Sequence, residues 1–272
     1  MRAERGAKID KHSNSMPAMD LIIDIGNTRG KAAIFKGDRL MRRFTFEVRD
    51  VQGLVAQLER DPIARAALGT VADEAHELVD WLGLRVPVFR IDAHGPMPIR
   101  SAYSTGATLG IDRLANAVAA SSLFPGRPVL AIDMGTCITY DLVDAQGVYQ
   151  GGAITPGGRM RAKAMHSYSA RLPLVDEGAD SGPFGRSTVA SLQAGINYGI
   201  LGEARHFIGL VLERDRTTAV VLTGGDALHH GRALKSGIFA HPFLTLEGLR
   251  IIFHHGHGAG LATTGEGSGP AG

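Results

Sequence analysis

The sequence predicts an α/β fold in which one mixed-sheet unit occurs twice, and three observations carry that prediction. First, an apolar run, Leu21-Ile22-Ile23, meets the polar stretch Asp24-Ile25-Gly26-Asn27-Thr28-Arg29-Gly30-Lys31 and turns apolar again through Ala32-Ala33-Ile34-Phe35. This reads as a β-hairpin with a polar tip. Second, the pattern returns at Val129-Leu130-Ala131-Ile132-Asp133-Met134-Gly135-Thr136 and runs on through Cys137-Ile138-Thr139-Tyr140-Asp141. The two aspartates lie roughly 110 residues apart, about one domain length. Third, helical and extended patterns alternate after the first hairpin, which implies β-α-β units and parallel pairing.

In chain order, Lys36-Gly37-Asp38 is a turn signal and Leu40 to Val48 a third antiparallel strand. Val51, Leu54, Val55 and Leu58 fall at the spacing of a helix that lays one apolar face on a sheet. A strand is expected at Leu68 to Ala72, then Asp73 as an N-cap, a helix striped by Ala75, Leu78, Val79 and Leu82, and a strand at Val86 to Ile91. Ala93 to Gly106 reads as a loop, and Ile111, Leu114, Ala115, Val118 and Ala119 as a helix with Asp112 and Arg113 in its first turn. Pro125-Gly126 stops it. Gly151 to Ile154 is a further strand, Pro156 sits at the start of a helix to about Ser167, and Ser169 to Gly185 is irregular. Ser187 or Thr188 caps a long helix through Val189, Leu192, Ile196 and Ile200, Ala219 to Leu222 is a strand, and Thr223-Gly224-Gly225-Asp226 opens another helix. The expected divisions are a disordered leader (1–18), two domains (19–109 and 110–253), and a disordered tail of Gly, His, Ser and Thr (254–272).

At 272 residues the chain can hold two domains, and 44% hydrophobic with 21% charged residues is a globular composition. A formal charge of +2 is too mild for a nucleic-acid partner. The one cysteine, Cys137, cannot form an internal disulfide, and residues 1–20 lack the apolar core of a signal peptide. The apolar stretch Leu114 to Gly126 is too short to span a membrane. The expected compartment is the cytoplasm.

Gly26 to Ala32 misses the Walker P-loop in both spacing and hydroxyl. No strand runs into a Gly-x-Gly-x-x-Gly dinucleotide loop, and there is no Gly-x-Ser-x-Gly elbow and no His-Glu-x-x-His site. A single Asp-x-Gly turn is ordinarily a tight hairpin with a satisfied acid. Two strands that each end in an acid point instead to a shared cleft, where metal ions or phosphates offset the cost of burying carboxylates. An acid beside an arginine in a helix's first turn, as at Asp112 and Arg113, is by itself ordinary capping. Cys137 reads as a small core residue, and His254, His255 and His257 as an incidental cluster.

Asp24 to Lys31, Gly110-Ile111-Asp112-Arg113, Asp133-Met134-Gly135-Thr136 and Gly151-Gly152-Ala153-Ile154-Thr155-Pro156-Gly157 together resemble the type III pantothenate kinases. The match spans about residues 19 to 253. The resemblance implies duplicated actin-like (ribonuclease H-like) domains with a nucleotide cleft between them, within the actin, sugar kinase and Hsp70 superfamily. It implies ATP-dependent phosphorylation of pantothenate at the start of coenzyme A synthesis, by a homodimer that needs Mg²⁺ and a monovalent cation, K⁺ or NH₄⁺. Carried onto this sequence, Asp24, Ile25, Gly26, Asn27, Thr28, Arg29, Gly30, Lys31 and Thr136 would bind ATP, with Asp24 holding Mg²⁺ through water and Asp133 the monovalent ion. Asp112 would accept the proton. Tyr103, Gly110, Ile111, Asp112, Arg113 and Thr188 would contact pantothenate, the Arg113 fork suiting its carboxylate. Thr188 would do so across the dimer, and Thr223 to Asp226 resembles the superfamily's adenosine motif.

Two positions depart from the family pattern. Gly30 stands where a larger apolar residue is usual, and Ser187 where Asn often precedes the substrate-contacting Thr188. Phosphate loops do not encode the acceptor, so a kinase for another small alcohol or acid is the first alternative. A non-catalytic regulatory or transcription-accessory role is the second.

Overall fold

The computed structural model describes residues 19–26, 29–48, 50–69, 76–176, 182–234 and 237–258. The first unit begins with the meander β1 (Met19–Ile25), β2 (Arg29–Lys36) and β3 (Arg39–Glu47). Helix α1 (Val51–Leu58), β4 (Ile63–Leu68), α2 (His76–Gly83) and β5 (Val88–Arg90) follow. The sheet order is β3-β2-β1-β4-β5, with β4 parallel to β1 and β5 parallel to β4. Side chains alternate across β1, so Leu21, Ile23 and Ile25 pack on Leu54 and Leu58 of α1 and Leu78 and Leu82 of α2. The Asp50 side chain caps α1 by accepting from the Gly53 N–H.

β4 lies earlier than the Leu68 to Ala72 strand that the pattern predicts. Arg65 interrupts the apolar run in sequence, but on the strand it forks onto the buried Asp20 of β1, with both bonds at 2.8 Å. Asp73 and Ala75 lie outside the described residues, as do the expected leader (1–18) and residues 259–272 of the expected tail.

The second unit comprises β6 (Arg100–Ser101), α3 (Ile111–Leu123), β7 (Val129–Met134), β8 (Cys137–Val143), β9 (Val148–Pro156), α4 (Gly158–Ser167), α5 (Thr188–Arg214), β10 (Ala219–Thr223), α6 (Ala227–Gly231), β11 (Ile238–Ala240) and α7 (Leu244–Gly258). Its sheet runs β11-β10-β7-β8-β9-β6. From β9 to β11 this repeats the first sheet: an antiparallel three-strand meander, then two parallel strands beside its first strand. The fold is a duplicated actin-like one, as expected.

Details differ from expectation. β9 extends over Val148–Pro156, so Pro156 ends a strand, and Gly157 rather than Pro156 precedes the helix. Of the two candidate caps for α5, Ser187 serves, its Oγ accepting from the Ala190 N–H at 3.2 Å. The tail expected from His254 instead continues α7 as far as Gly258. Two of its histidines are packed and His255 is exposed: His254 Nε2 lies 3.1 Å from Asp20, and the His257 ring centroid is 4.2 Å from that of Phe253. Strands β6 and β11 carry only two and three residues, too few for a readable period.

Helices α3 and α7 form the central layer between the sheets. Ile22, Ala33, Phe35 and Ala67 of the first sheet, Val129, Ala131 and Val143 of the second, and Leu114, Val118, Leu249 and Ile252 of the helices share one core. At the helix crossing, a Cβ on Gly248 would run into the backbone carbonyl of Ala115, so only glycine permits this approach. The units also exchange segments: β6, from the expected first domain, pairs with β9. α7 returns to pack on β1, β2 and β4.

Candidate active site

Strand parity places the acids. On β1, Asp20, Ile22 and Asp24 share the face toward α3 and α7, and on β7, Val129, Ala131 and Asp133 share the equivalent face. Asp24 and Asp133 therefore reach the same layer from opposite sheets, each at the C-terminal end of its strand. Lys31 stands directly across the hairpin from Asp24. Asp112 is exposed in the first turn of α3, whose N-terminus favours negative charge.

These groups act on one another electrostatically. Burial, then the charges of Asp112 and Asp133, push the Asp24 carboxyl up to about 7, against the pull of Lys31. Burial likewise raises Asp133, with Asp112 and Asp141 adding to the rise, while Lys31 and a hydrogen bond from Asn116 hold it down. Asp24 and Asp133 thus share one lysine and both feel the charge of Asp112, an arrangement that calls for further cations.

Both hairpin turns are closed by backbone bonds, Gly26 N–H to the Arg29 carbonyl at 3.2 Å and Gly135 N–H to the Cys137 carbonyl at 3.0 Å. Glycines line the second turn. A Cβ on Gly157 would strike the Gly135 and Thr136 carbonyls, and one on Gly224, at φ +100°, would strike Met134 and Asp133. Thr223 pairs in register with Asp133 and is fully buried, and its hydroxyl has no hydrogen-bond partner among the described residues. Asp226, held above the usual carboxylate range by burial, follows, its N–H bonded to the Met134 carbonyl at 3.0 Å.

Arg113 departs from expectation. It is buried and paired internally: Nε donates to Asp141 Oδ1 at 2.9 Å, and the Tyr149 hydroxyl donates to the same oxygen at 2.7 Å. The guanidinium expected at a substrate carboxylate therefore already holds one. Tyr103 lies beside this group, its ring 5.8 Å from the guanidinium carbon and within contact distance of a Cβ on Gly151.

The remaining expected residues are placed as follows. The Ile25 and Ile111 side chains are core, so either could meet a ligand only through its backbone. Arg29 is exposed and paired with Glu47 at 3.0 Å. Gly30 is buried because the Phe46 ring fills the space a side chain would take. Gly110 and Thr136 are exposed beside Asp112 and in the second turn. Thr188 is exposed at the start of α5, in the outer layer rather than among the acids. Asn27 and Thr28 lie outside the described residues. Sequence reading missed Asp141, Tyr149, Asn116 and Thr245, and it marked Thr223 only as part of a motif expected at the adenosine. Asp141 and Tyr149 alternate correctly for the central face, but a lone polar residue in an apolar strand carries no label of its partner.

The sequence model of the type III pantothenate kinase family matches residues 20–209. A type III pantothenate kinase of Bacteroides fragilis is 40% identical over 241 residues, 88% of this chain and 99% of the relative. One from Phocaeicola vulgatus is 38% identical over 239 residues, 87% and 98% of the two chains. Among solved structures, a protein of Campylobacter jejuni named as a Baf family transcriptional activator superposes with TM-score 0.53 at 21% identity, covering 88% of this chain and 99% of its own. That last likeness speaks for the fold alone. With the doubled acid hairpins, the Gly-Ile-Asp-Arg turn between them and relatives matched over nearly their whole length, this chain belongs to the type III pantothenate kinase family.

Proposed function

We propose that this protein transfers the γ-phosphoryl group of ATP to the primary hydroxyl of pantothenate, giving 4'-phosphopantothenate and ADP. The observation that carries the reading is the convergence of Asp24, Lys31, Asp112 and Asp133 between the two sheets, in a chain of this family. Phosphoryl transfer asks for little covalent chemistry from a protein and much positioning and charge neutralisation. The turn from Asp24 to Lys31 and the Gly135-Thr136 turn cradle the phosphates, with Lys31 as their fixed cation. Asp112, exposed at the N-terminus of α3, takes the hydroxyl proton late in the transfer as a weak, well-placed acceptor. Tyr103 and the turn at Gly110 bound the acceptor site, and Thr188 reaches it from the partner protomer of a homodimer. Arg113 shapes this site through Asp141.

The donor set is all oxygen, which suits hard cations. Asp24 would hold Mg²⁺ through water. Asp133, with the unpartnered Thr223 hydroxyl beside it, would hold K⁺ or NH₄⁺. When bound, these ions neutralise phosphate and carboxylate charge. No described helix is long and apolar enough to cross a membrane. The proposed setting is the cytoplasm.

The test is a coupled assay of ADP release with pantothenate, with and without potassium, beside glycerol, acetate and hexoses. Pantothenate-dependent release that needs potassium is expected. Release with another acceptor and none with pantothenate would replace the substrate.

A further inference from the structure

Asp133 is held from behind by a two-residue relay that crosses the central layer. Asn116 of α3 donates through Nδ2 to Asp133 Oδ2 at 3.0 Å. Thr245 of α7 donates its hydroxyl to Asn116 Oδ1 at 2.9 Å. Both side chains are almost wholly buried, 1% and 2% exposed, beside the apolar core that α3 and α7 share. Buried polar groups in such surroundings are kept only when satisfied, and here each satisfies the next.

The chemistry of the amide makes the relay directional. Asp133 can take only a donor when ionised, so the Asn116 NH₂ must face it, and Oδ1 must then find a donor of its own. The Thr245 hydroxyl is that donor. Without it the amide loses the partner that fixes its orientation.

The helix crossing is built to deliver this hydroxyl. Gly248 lies one turn after Thr245 on α7 and touches the backbone of Ala115, the residue before Asn116, with no room for a Cβ. The close approach brings α7 near enough for a side chain as short as threonine to reach α3.

We propose that Asn116 and Thr245 are positioning residues that orient the Asp133 carboxylate toward its monovalent cation. The proposal rests on the reading of Asp133 given above and adds two residues outside the cation's own shell. Their loss weakens potassium binding while leaving the ATP-binding turn at Asp24 in place.

The test compares wild type with Thr245→Val and Thr245→Cys, which remove or weaken the donor at nearly constant volume, and with Thr245→Ser, which keeps it. Two readouts are needed: the potassium half-saturation of turnover, and the rise in melting temperature that potassium chloride produces over tetramethylammonium chloride at equal ionic strength, without substrate. The Val variant is expected to raise the half-saturation roughly tenfold, the worth of one hydrogen bond. The Cys variant should follow it in direction. Both should shrink the potassium-dependent melting shift and leave the KM for ATP within about twofold, and Ser should restore wild-type values. A folded Val or Cys variant with both potassium responses intact overturns the proposal. So do parallel losses toward ATP and potassium that Ser does not restore, which would mark a merely structural contact, and so does a wild type with no potassium response in either readout. A wild type that responds to potassium in the melt but does not phosphorylate pantothenate removes the substrate reading instead, and the melting shift then decides the relay.

Discussion

Arg113 and Asp141 form a buried ion pair beneath the first turn of α3, with the guanidinium 2.6 Å from Asp141 Oδ1. The pair ties the start of α3 to the middle of β8 and so fixes where the neighbouring Asp112 emerges. Removing one partner strands a buried charge, at a cost of about 3–5 kcal/mol. Asp141→Asn is therefore expected to lower Tm by roughly 6–20 °C for a chain of this size. Replacing both partners as Arg113→Met with Asp141→Leu, together with Tyr149→Phe to remove the hydroxyl that donates to Asp141, is expected to recover most of that loss in calorimetry. Recovery of Tm without recovery of turnover would separate the pair's positioning role from its contribution to stability.

Asp112→Asn keeps the shape of the turn and removes the proton acceptor. Turnover is expected to fall by about 10²-fold or more, while ATP affinity by calorimetric titration stays within about threefold. Wild-type turnover in this variant would take Asp112 out of the mechanism.

Gly30 and Phe46 are complementary. The ring of Phe46 occupies the space that a side chain at position 30 would need. Gly30→Val alone should cost about 1–3 kcal/mol by overpacking. With Phe46→Val, the coupling measured in a double-mutant cycle should return at least about 1 kcal/mol of that. Additive losses in denaturant melts would contradict the pairing.

The pH dependence of the cation-free protein follows from Asp24. In the unfolded chain its carboxyl titrates near the ordinary value, about 4, whereas burial and acid neighbours lift it to about 7 in the fold. Between those values the folded state binds the proton more tightly, so this group's contribution to stability falls as pH rises through the window. Asp133, raised by burial, has the same sign. In chelator and without potassium, Tm is expected to decline from about pH 5 to about pH 8, and Asp24→Asn should flatten the decline. Mg²⁺ should stabilise more at the upper end than at the lower. A decline equally steep in Asp24→Asn would assign it elsewhere.

Much of this architecture was legible in the chain because burial imposes period. The two hairpins read correctly, since Leu21 to Ile25 and Val129 to Met134 are apolar runs that end in an acid and a glycine turn. α3 read correctly through its stripe of Ile111, Leu114, Ala115 and Val118. β4 was misplaced because Arg65 breaks the apolar pattern, and its partner Asp20 sits in a different strand. The end of α7 was missed because His254 and His257 belong to a glycine-rich stretch, yet each finds a buried neighbour. The acids of the site were visible as motifs. Their supports, Asp141 behind Arg113 and Asn116 with Thr245 behind Asp133, were not, because a hydrogen bond spanning 129 residues leaves no local trace.

The placement of α7 bears on how the protein is made. The ribosome completes both sheets before this helix emerges, and chains fold from the N-terminus as they are synthesised. Until then the apolar faces of β1 and β4 lack their cover, and Asn116 lacks the hydroxyl that turns it toward Asp133. Final assembly of the cleft is thus a late event in the life of the chain, and any message that stops short of Thr245 leaves both sheets without the helix that completes their shared core.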